Sequence, residues 1–295
     1  MRLAYLQLAL SMAFVGINVA VGKVIVHEIP IFLFSEIRFL IALCFLIPML
    51  YYSPKKDKVE LQKSDWSYLF LQSFFGVFLF SLLMLYGVRF TSATSAGIIT
   101  STVPAVIALL SFFFLREKLS LPQIFSIFLT VVGISIISTQ AGPASLDEEN
   151  LFWGNLLVLG AVISEALFTI FAKKLSDKLS PIQMAIGVNA IGFVLFLPFA
   201  IKEAFTFSFS QPGITLWLLV FYYSITASVL SFVLWYKGVA KVKASVAGLF
   251  TGFLPVSATL VGVLLLNESF GWSQTIGMIC VLVAIFLGTR EKEAV

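Results

Sequence analysis

Two stretches decide how this chain folds: Ala93–Pro104, ATSAGIITSTVP, and Ala244–Pro255, ASVAGLFTGFLP. Small residues recur every fourth position in each, at Ala93, Gly97 and Ser101 and at Ala244, Gly248 and Gly252. A helix with such a stripe lets a neighbouring backbone approach closely, which is how helices associate in lipid. Three residues further on stand Pro104 and Pro255, each of which removes a backbone donor and bends a continuous helix.

The two stretches lie 151 positions apart, and the same offset runs ungapped through most of the chain. It pairs Lys23 with Lys174, Pro30 with Pro181, Trp66 with Trp217, Ser73 with Ser224 and Gly87 with Gly238. It also pairs Thr100 with Thr251, Glu117 with Glu268 and Gln123 with Gln274. Such self-similarity marks an internal duplication and fixes the architecture to be expected.

Composition says where the two copies reside. The 295 residues are 60% apolar and only 12% charged, with a mean hydropathy of +1.03. A soluble domain carries about 25% charged residues. A bilayer-spanning helix needs roughly 20 mostly apolar residues, and ten segments approach that length: 3–26, 31–52, 67–88, 93–115, 122–140, 152–172, 182–201, 214–236, 244–266 and 272–289. The expected fold is an all-α integral membrane protein of ten transmembrane helices in two repeats, 1–140 and 152–295, joined by a linker at 141–151.

The excess of positive charge reads as topology and not as a nucleic-acid surface. Fifteen of the 19 basic residues fall at the termini or in alternate loops: Arg2, Lys55, Lys56, Lys58, Lys63, Arg116, Lys118, Lys173, Lys174, Lys178, Lys237, Lys241, Lys243, Arg290 and Lys292. The other loops hold three, Lys23, Arg89 and Lys202, and Arg38 lies within a span. Cytoplasmic loops collect Lys and Arg, so both termini are expected in the cytoplasm of a cell (inner) membrane, with Asp147–Glu149 outside. Five spans per copy is an odd number, so the second copy enters the bilayer inverted.

Few residues offer chemistry. Cys44 and Cys280 each stand alone in apolar spans and read as packing. The single histidine, in His27–Glu28–Ile29–Pro30, does not make a zinc motif, and no metal or cofactor is expected. Glu36 and Arg38 lie two apart on a helix and cannot face each other, so each needs its own partner or reaches the interface. Glu165 stands near the middle of its span with no basic residue within a helical turn. A lone carboxyl at that depth points to substrate binding or proton coupling, or to a structural hydrogen bond.

Asn18, Lys23, Arg38–Phe39, Pro104 followed by Glu117, and Pro255 followed by Glu268 together resemble the EamA repeat of the drug/metabolite transporter superfamily, in both halves. The resemblance implies a secondary carrier without an ATP site, its cavity between the halves, exporting amino acids and related metabolites or amphiphiles. Two departures stand out. Val15 precedes Gly16-Ile17-Asn18 where relatives often have tryptophan, and Glu165 precedes Ala166-Leu167-Phe168 where they offer an aromatic. The second favours an amine-bearing substrate or proton coupling.

The expected function is therefore export of small amine-bearing or amphiphilic metabolites by alternating access, with membrane lipid and a small-molecule substrate as partners. The alternative is a proton-coupled antiporter for lipophilic cations. An enzyme would need a nucleophile–base or metal constellation, which this composition does not supply. The expected substrate-binding residues are Asn18, Gln72, Thr100, Glu165, Thr169, Tyr223 and Thr251. Gly97, Pro104, Gly248 and Pro255 are the expected conformational ones.

Overall fold

The computed structural model describes residues 1–51, 62–90, 99–138, 148–266 and 271–289, and these contain helices and no strand. In chain order they form α1 (Arg2–Glu28), α2 (Ile31–Tyr51), α3 (Lys63–Ser73, Phe74–Leu79 and Phe80–Phe90), α4 (Val103–Leu115) and α5 (Leu121–Ser138). Then follow α6 (Glu148–Leu175), α7 (Pro181–Ala204), α8 (Ile214–Tyr223, Ser224–Ser231 and Phe232–Val239), α9 (Ala244–Leu249, Phe250–Gly252 and Phe253–Leu266) and α10 (Trp272–Thr289). Six runs are long and apolar enough to cross a bilayer: Arg2–Glu28, Ile31–Tyr51, Lys63–Gly87, Phe152–Leu175, Pro181–Ala204 and Ile214–Val239. Shorter apolar helices accompany them at Val103–Leu115, Leu121–Ile136, Ala244–Ala258 and Thr275–Thr289. This is a multi-pass membrane protein.

Local chemistry sets the boundaries. Pro181 opens α7 behind a reciprocal cap in which Ser180 accepts from the Gln183 N–H and the Gln183 side chain accepts from the Ser180 N–H. Both opening stretches are interrupted just ahead of their prolines. The middle of α9, Phe250–Gly252, is a tight 3-10 turn just ahead of Pro255, and α4 begins at Val103 with Pro104 in its first turn. A proline ring collides with the carbonyl four residues earlier, here that of Thr100 or Thr251, so the regular ladder stops there. Gly97 lies outside the described residues.

The small-residue stripe of α9 does not stay on one face. A side chain at Gly248 would press on Ile107 of α4, whereas one at Gly252 would press on Val281 of α10. The 3-10 turn between them winds at about three residues per turn, so a fourfold spacing no longer returns to the same side.

Helices meet in matched pairs. α2 and α7 run antiparallel, Phe32 stacking on Phe199 and Phe39 meeting Phe196 and covering Gly192. α5 and α10 do the same, with Gly133 against the Gly277 carbonyl and Ser126 against Gly288. α1 lies along α8 through Leu8 on Gly238, and α6 lies along α3 through Phe168 on Gly76. α4 and α9 meet where Gly248 faces Ile107.

Side-chain bonds tie the two ends of the bundle. At the lysine-rich end Lys178 donates to both oxygens of Asp65, at 2.7 and 2.9 Å. There too the Glu117 carboxylate accepts from the N–H groups of Ala244 and Ser245, at 2.7 and 3.1 Å, capping the start of α9. At the other end Glu203 accepts from the N–H of Leu33 at 2.8 Å.

Gly16 gives a direct test of this packing, because a side chain there would collide with Ser257 and the Leu254 carbonyl of α9. Gly16→Val is expected to destabilise the detergent-solubilised protein by about 1–3 kcal/mol, the usual cost of overpacking. Gly213→Ala, where a side chain meets nothing within 4 Å, is expected to leave thermal unfolding unchanged.

Candidate functional site

The most polar interior surface is α8. Its central stretch reads SITASVLS, places Ser224, Thr226, Ser228 and Ser231 in the core, and winds as a π-helix. Wide turns loosen the backbone ladder, and hydroxyls add bonds alongside it. Ser224 donates to the Val220 carbonyl at 2.7 Å and Thr226 to that of Tyr222 at 2.8 Å. The corresponding part of α3, Phe74–Leu79, is also a π-helix but carries aromatic and aliphatic side chains.

α1 supplies the complementary surface. The Asn18 amide donates to the Thr226 hydroxyl at 2.9 Å and to the Phe14 carbonyl at 2.8 Å. Lower on the same seam the Ser11 and Ser231 hydroxyls lie 3.0 Å apart. All four side chains are buried.

Two residues at the same repeat position converge on Ser228. Arg38 of α2 donates to the Ser228 hydroxyl at 2.9 Å, and Asn189 of α7 donates to the Ser228 carbonyl at 3.1 Å. Ser228 lies fourteen residues from the start of α8 and eleven from its end, about 20 and 16 Å at roughly 1.5 Å per residue. The guanidinium therefore reaches the middle of the bundle and does not extend to an interface. It also lies 4.1 Å over the Phe39 ring. Among the described residues no carboxylate comes within 4.0 Å of it; the ion pair found there is Lys178–Asp65. Glu36 points elsewhere, its carboxyl oxygens buried without a hydrogen-bond partner among the described residues.

Glu165 of α6 faces inward. The lipid-facing stripe of that helix runs through Phe152, Leu156, Leu159 and Ile163, all at least 40% exposed. Glu165 follows Leu156 by nine residues, about two and a half turns, and so points the opposite way. It is nevertheless partly accessible. Its carboxylate has no hydrogen bond or ion pair among the described residues.

One turn beyond Glu165, Phe168 lies 6.1 Å from both the Phe232 and Tyr236 rings, which stack on each other at 6.0 Å. Tyr236 is fully buried and its hydroxyl accepts from the Gln72 amide at 2.9 Å. These rings form an apolar floor on the lysine-rich side of Glu165.

Asn18 and Gln72 each bond to α8, at Thr226 and, ten residues further on, at Tyr236; Tyr223, on α8 itself, lies edge-on to Phe34 at 4.9 Å, and α6 reaches α8 through Phe168, one turn beyond Glu165. Thr169 is buried beside Glu165, its hydroxyl 3.4 Å from that residue's carbonyl. Thr100 and Thr251 belong to the breaks of the α4–α9 pair instead: Thr251 directs its hydroxyl to the Gly248 carbonyl at 2.8 Å, and Thr100 is partly exposed. Thr226, Ser228, Asn189 and the three floor rings are not among the residues expected from sequence. The signal was the hydroxyl at nearly every second position of 224–231. No group of His, Cys, Asp and Glu suited to a metal occurs among the described residues.

A model of the EamA-like transporter family matches residues 2–139 and again 152–290. The uncharacterized transporter YetK of Bacillus subtilis is 44% identical over 290 residues, covering 98% of this chain and 88% of that protein. An uncharacterized transporter of Archaeoglobus fulgidus is 24% identical over 290 residues, with 98% and 99% covered. A solved structure described only as "Crystal structure of protein" superposes with a TM-score of 0.80 at 16% identity, covering 97% of this chain and 98% of that one. At that identity the likeness speaks for the fold alone.

The Asn18–Thr226 pair can be tested as a cycle. Thr226→Val leaves a buried amide short of an acceptor and is expected to cost about 1–3 kcal/mol. Asn18→Leu alone should cost a similar amount. The double variant should cost less than the two single losses added together, as read by thermal unfolding in detergent.

Proposed function

Because the chain belongs to the EamA-like transporter family, we propose that it is a secondary carrier exporting small amine-bearing or amphiphilic metabolites, amino acids among them, by alternating access. The observation that carries this reading is Glu165, a carboxylate without a partner on the lipid-averse face of α6, yet accessible. A charge at such a place is expensive to maintain. An amine or a proton arriving from solution offsets that cost.

The matched helix pairs support two repeats related by inversion. α2 and its repeat partner α7 lie antiparallel in contact, as do α5 and α10. Two parallel copies would give like-directed partners. With the lysine-rich end taken as cytoplasmic, the Phe168–Phe232–Tyr236 floor and the Asp65–Lys178 and Glu117–α9 links lie between Glu165 and the cytoplasm. Inward opening would then separate those links while α4 and α9 turn about their close contact at Gly248.

The floor also favours the second reading, an antiporter for lipophilic cations, since stacked rings beside a carboxylate suit such a solute. Efflux of quaternary cations that depends on Glu165, with no flux of amino acids, would select it.

Two measurements check this proposal. In proteoliposomes Glu165→Gln is expected to lower flux at least tenfold and to flatten its dependence on pH over roughly 5.5–8, the range a buried carboxyl can span. Unchanged rate and pH profile would remove Glu165 from the mechanism. Single cysteines at Lys58 and Lys178 should label from the same side of the membrane, and labelling from opposite sides would rule out the inverted arrangement.

A further inference from the structure

We infer that Arg38 is the centre of an anion subsite: the transported solute carries an oxyanion that the guanidinium binds, at the opposite end of the solute from the group met by Glu165. The inference rests on the carrier reading above and names a chemical requirement of the same chamber.

A guanidinium in the middle of a bundle is costly unless an anion or several strong acceptors compensate it. Arg38 has little of either. Its partners among the described residues are one neutral hydroxyl, that of Ser228 at 2.9 Å, and the face of the neighbouring Phe39 ring. No carboxylate among the described residues pairs with it, and Glu36 points away from it on α2. Arg38 remains partly accessible. A planar fork of five donors with most of them unused matches an oxyanion, which can accept two parallel bonds.

The surroundings hold that fork in place. Ser228 is itself fixed by Asn189 through its carbonyl. Tyr223, five residues before Ser228 on α8, packs edge-on against Phe34, one turn before Arg38 on α2. Arg38 lies on the face of α2 turned toward α8, away from the exposed stripe of Leu40, Cys44 and Ile47, so a lipid phosphate would have to enter the bundle to reach it.

Arg38 meets α8 at Ser228, and α6 reaches α8 one turn further on, at Phe232. Phe232 follows Ser228 by one turn, on nearly the same face, and Phe168 packs on Phe232 one turn beyond Glu165 on its own helix. A cation fixed at Ser228 and a carboxylate at the adjacent level suit a solute with an oxyanion at one end and an amine at the other. Either charge alone would leave the opposite protein charge uncompensated when the solute is bound.

The test compares acids with their decarboxylated amines. Proteoliposomes of phosphatidylethanolamine and phosphatidylglycerol are loaded with radiolabelled lysine, tryptophan or leucine, or with cadaverine, tryptamine or isoamylamine, and efflux is measured with each partner as competitor. For at least one pair the acid is expected to bind tenfold or more tightly than its amine. Arg38→Gln should abolish that preference by weakening the acid, and Ser228→Ala, which keeps the cation and frees it, should reduce it. If Arg38→Gln fails to fold, the wild-type ratio and Ser228→Ala decide. Carriage of the amines as well as or better than the acids would overturn the anion subsite and leave the carrier reading standing. An acid preference that survives both substitutions would also overturn it. Phosphatidylglycerol retained by the wild type and lost from Arg38→Gln in native mass spectrometry, with no acid preference, would assign the guanidinium to lipid and overturn it too. Flux of no solute in the panel would overturn it together with the carrier reading.

Discussion

Ser228 is where the interior of this protein is decided. Inside a bilayer every backbone donor and acceptor must find its partner within the protein, and most helices here meet that demand with an unbroken ladder. The centre of α8 winds wide, and the hydroxyls of Ser224 and Thr226 add bonds to carbonyls of the preceding turn. Bonded in this way, polar side chains occupy the middle of an apolar bundle. Arg38 and Asn189 then arrive from opposite halves, one on the Ser228 hydroxyl and the other on its carbonyl.

Duplication supplied two equal frames, and the side chains then made them unequal. Asn18 faces Thr226, but their counterparts at the same offset are Thr169 and Phe75, so the seam is polar on one side of the bundle and apolar on the other. Arg38 has Asn189 for its counterpart, Gln72 has Tyr223, and Glu165 has Phe14. Charges occur once each, and each lacks an opposite charge from the described residues. A repeat that kept both copies of every charge would have doubled the cost of burying them. Glu36, Arg38 and Glu165, none of which has a charged counterpart in the other copy, are economical in that sense.

Much of this is visible in the sequence because lipid imposes strict arithmetic. Long apolar runs, the 151-residue offset and the alternation of lysine-rich loops expose the spans and their pairing. Pro104 and Pro255 reveal where helices break, since ring and carbonyl cannot share the space. Glu165 stands out as an ionisable residue at depth. The remainder depends on local winding that composition does not encode. The 3-10 turn at Phe250–Gly252 swings Gly252 away from the face of Gly248, and a fourfold spacing alone cannot disclose it. Hydroxyls in apolar spans usually bond their own backbone, so Thr251 and Ser228 look alike in sequence. Only packing separates Thr251, turned to its own helix, from Ser228, which collects a cation from another.

The central claim is that the inward face of α6 borders a water-accessible chamber while its outward face borders lipid. With Cys44 and Cys280 replaced by alanine, single cysteines at Glu165 and at Ile163 test it, because the two positions share a depth and differ in direction. The account predicts that a charged, water-soluble thiosulfonate modifies the cysteine at 165 at least tenfold faster than the one at 163. Equal protection of both, with the protein folded in native membranes, would mean a dry interior and would contradict it.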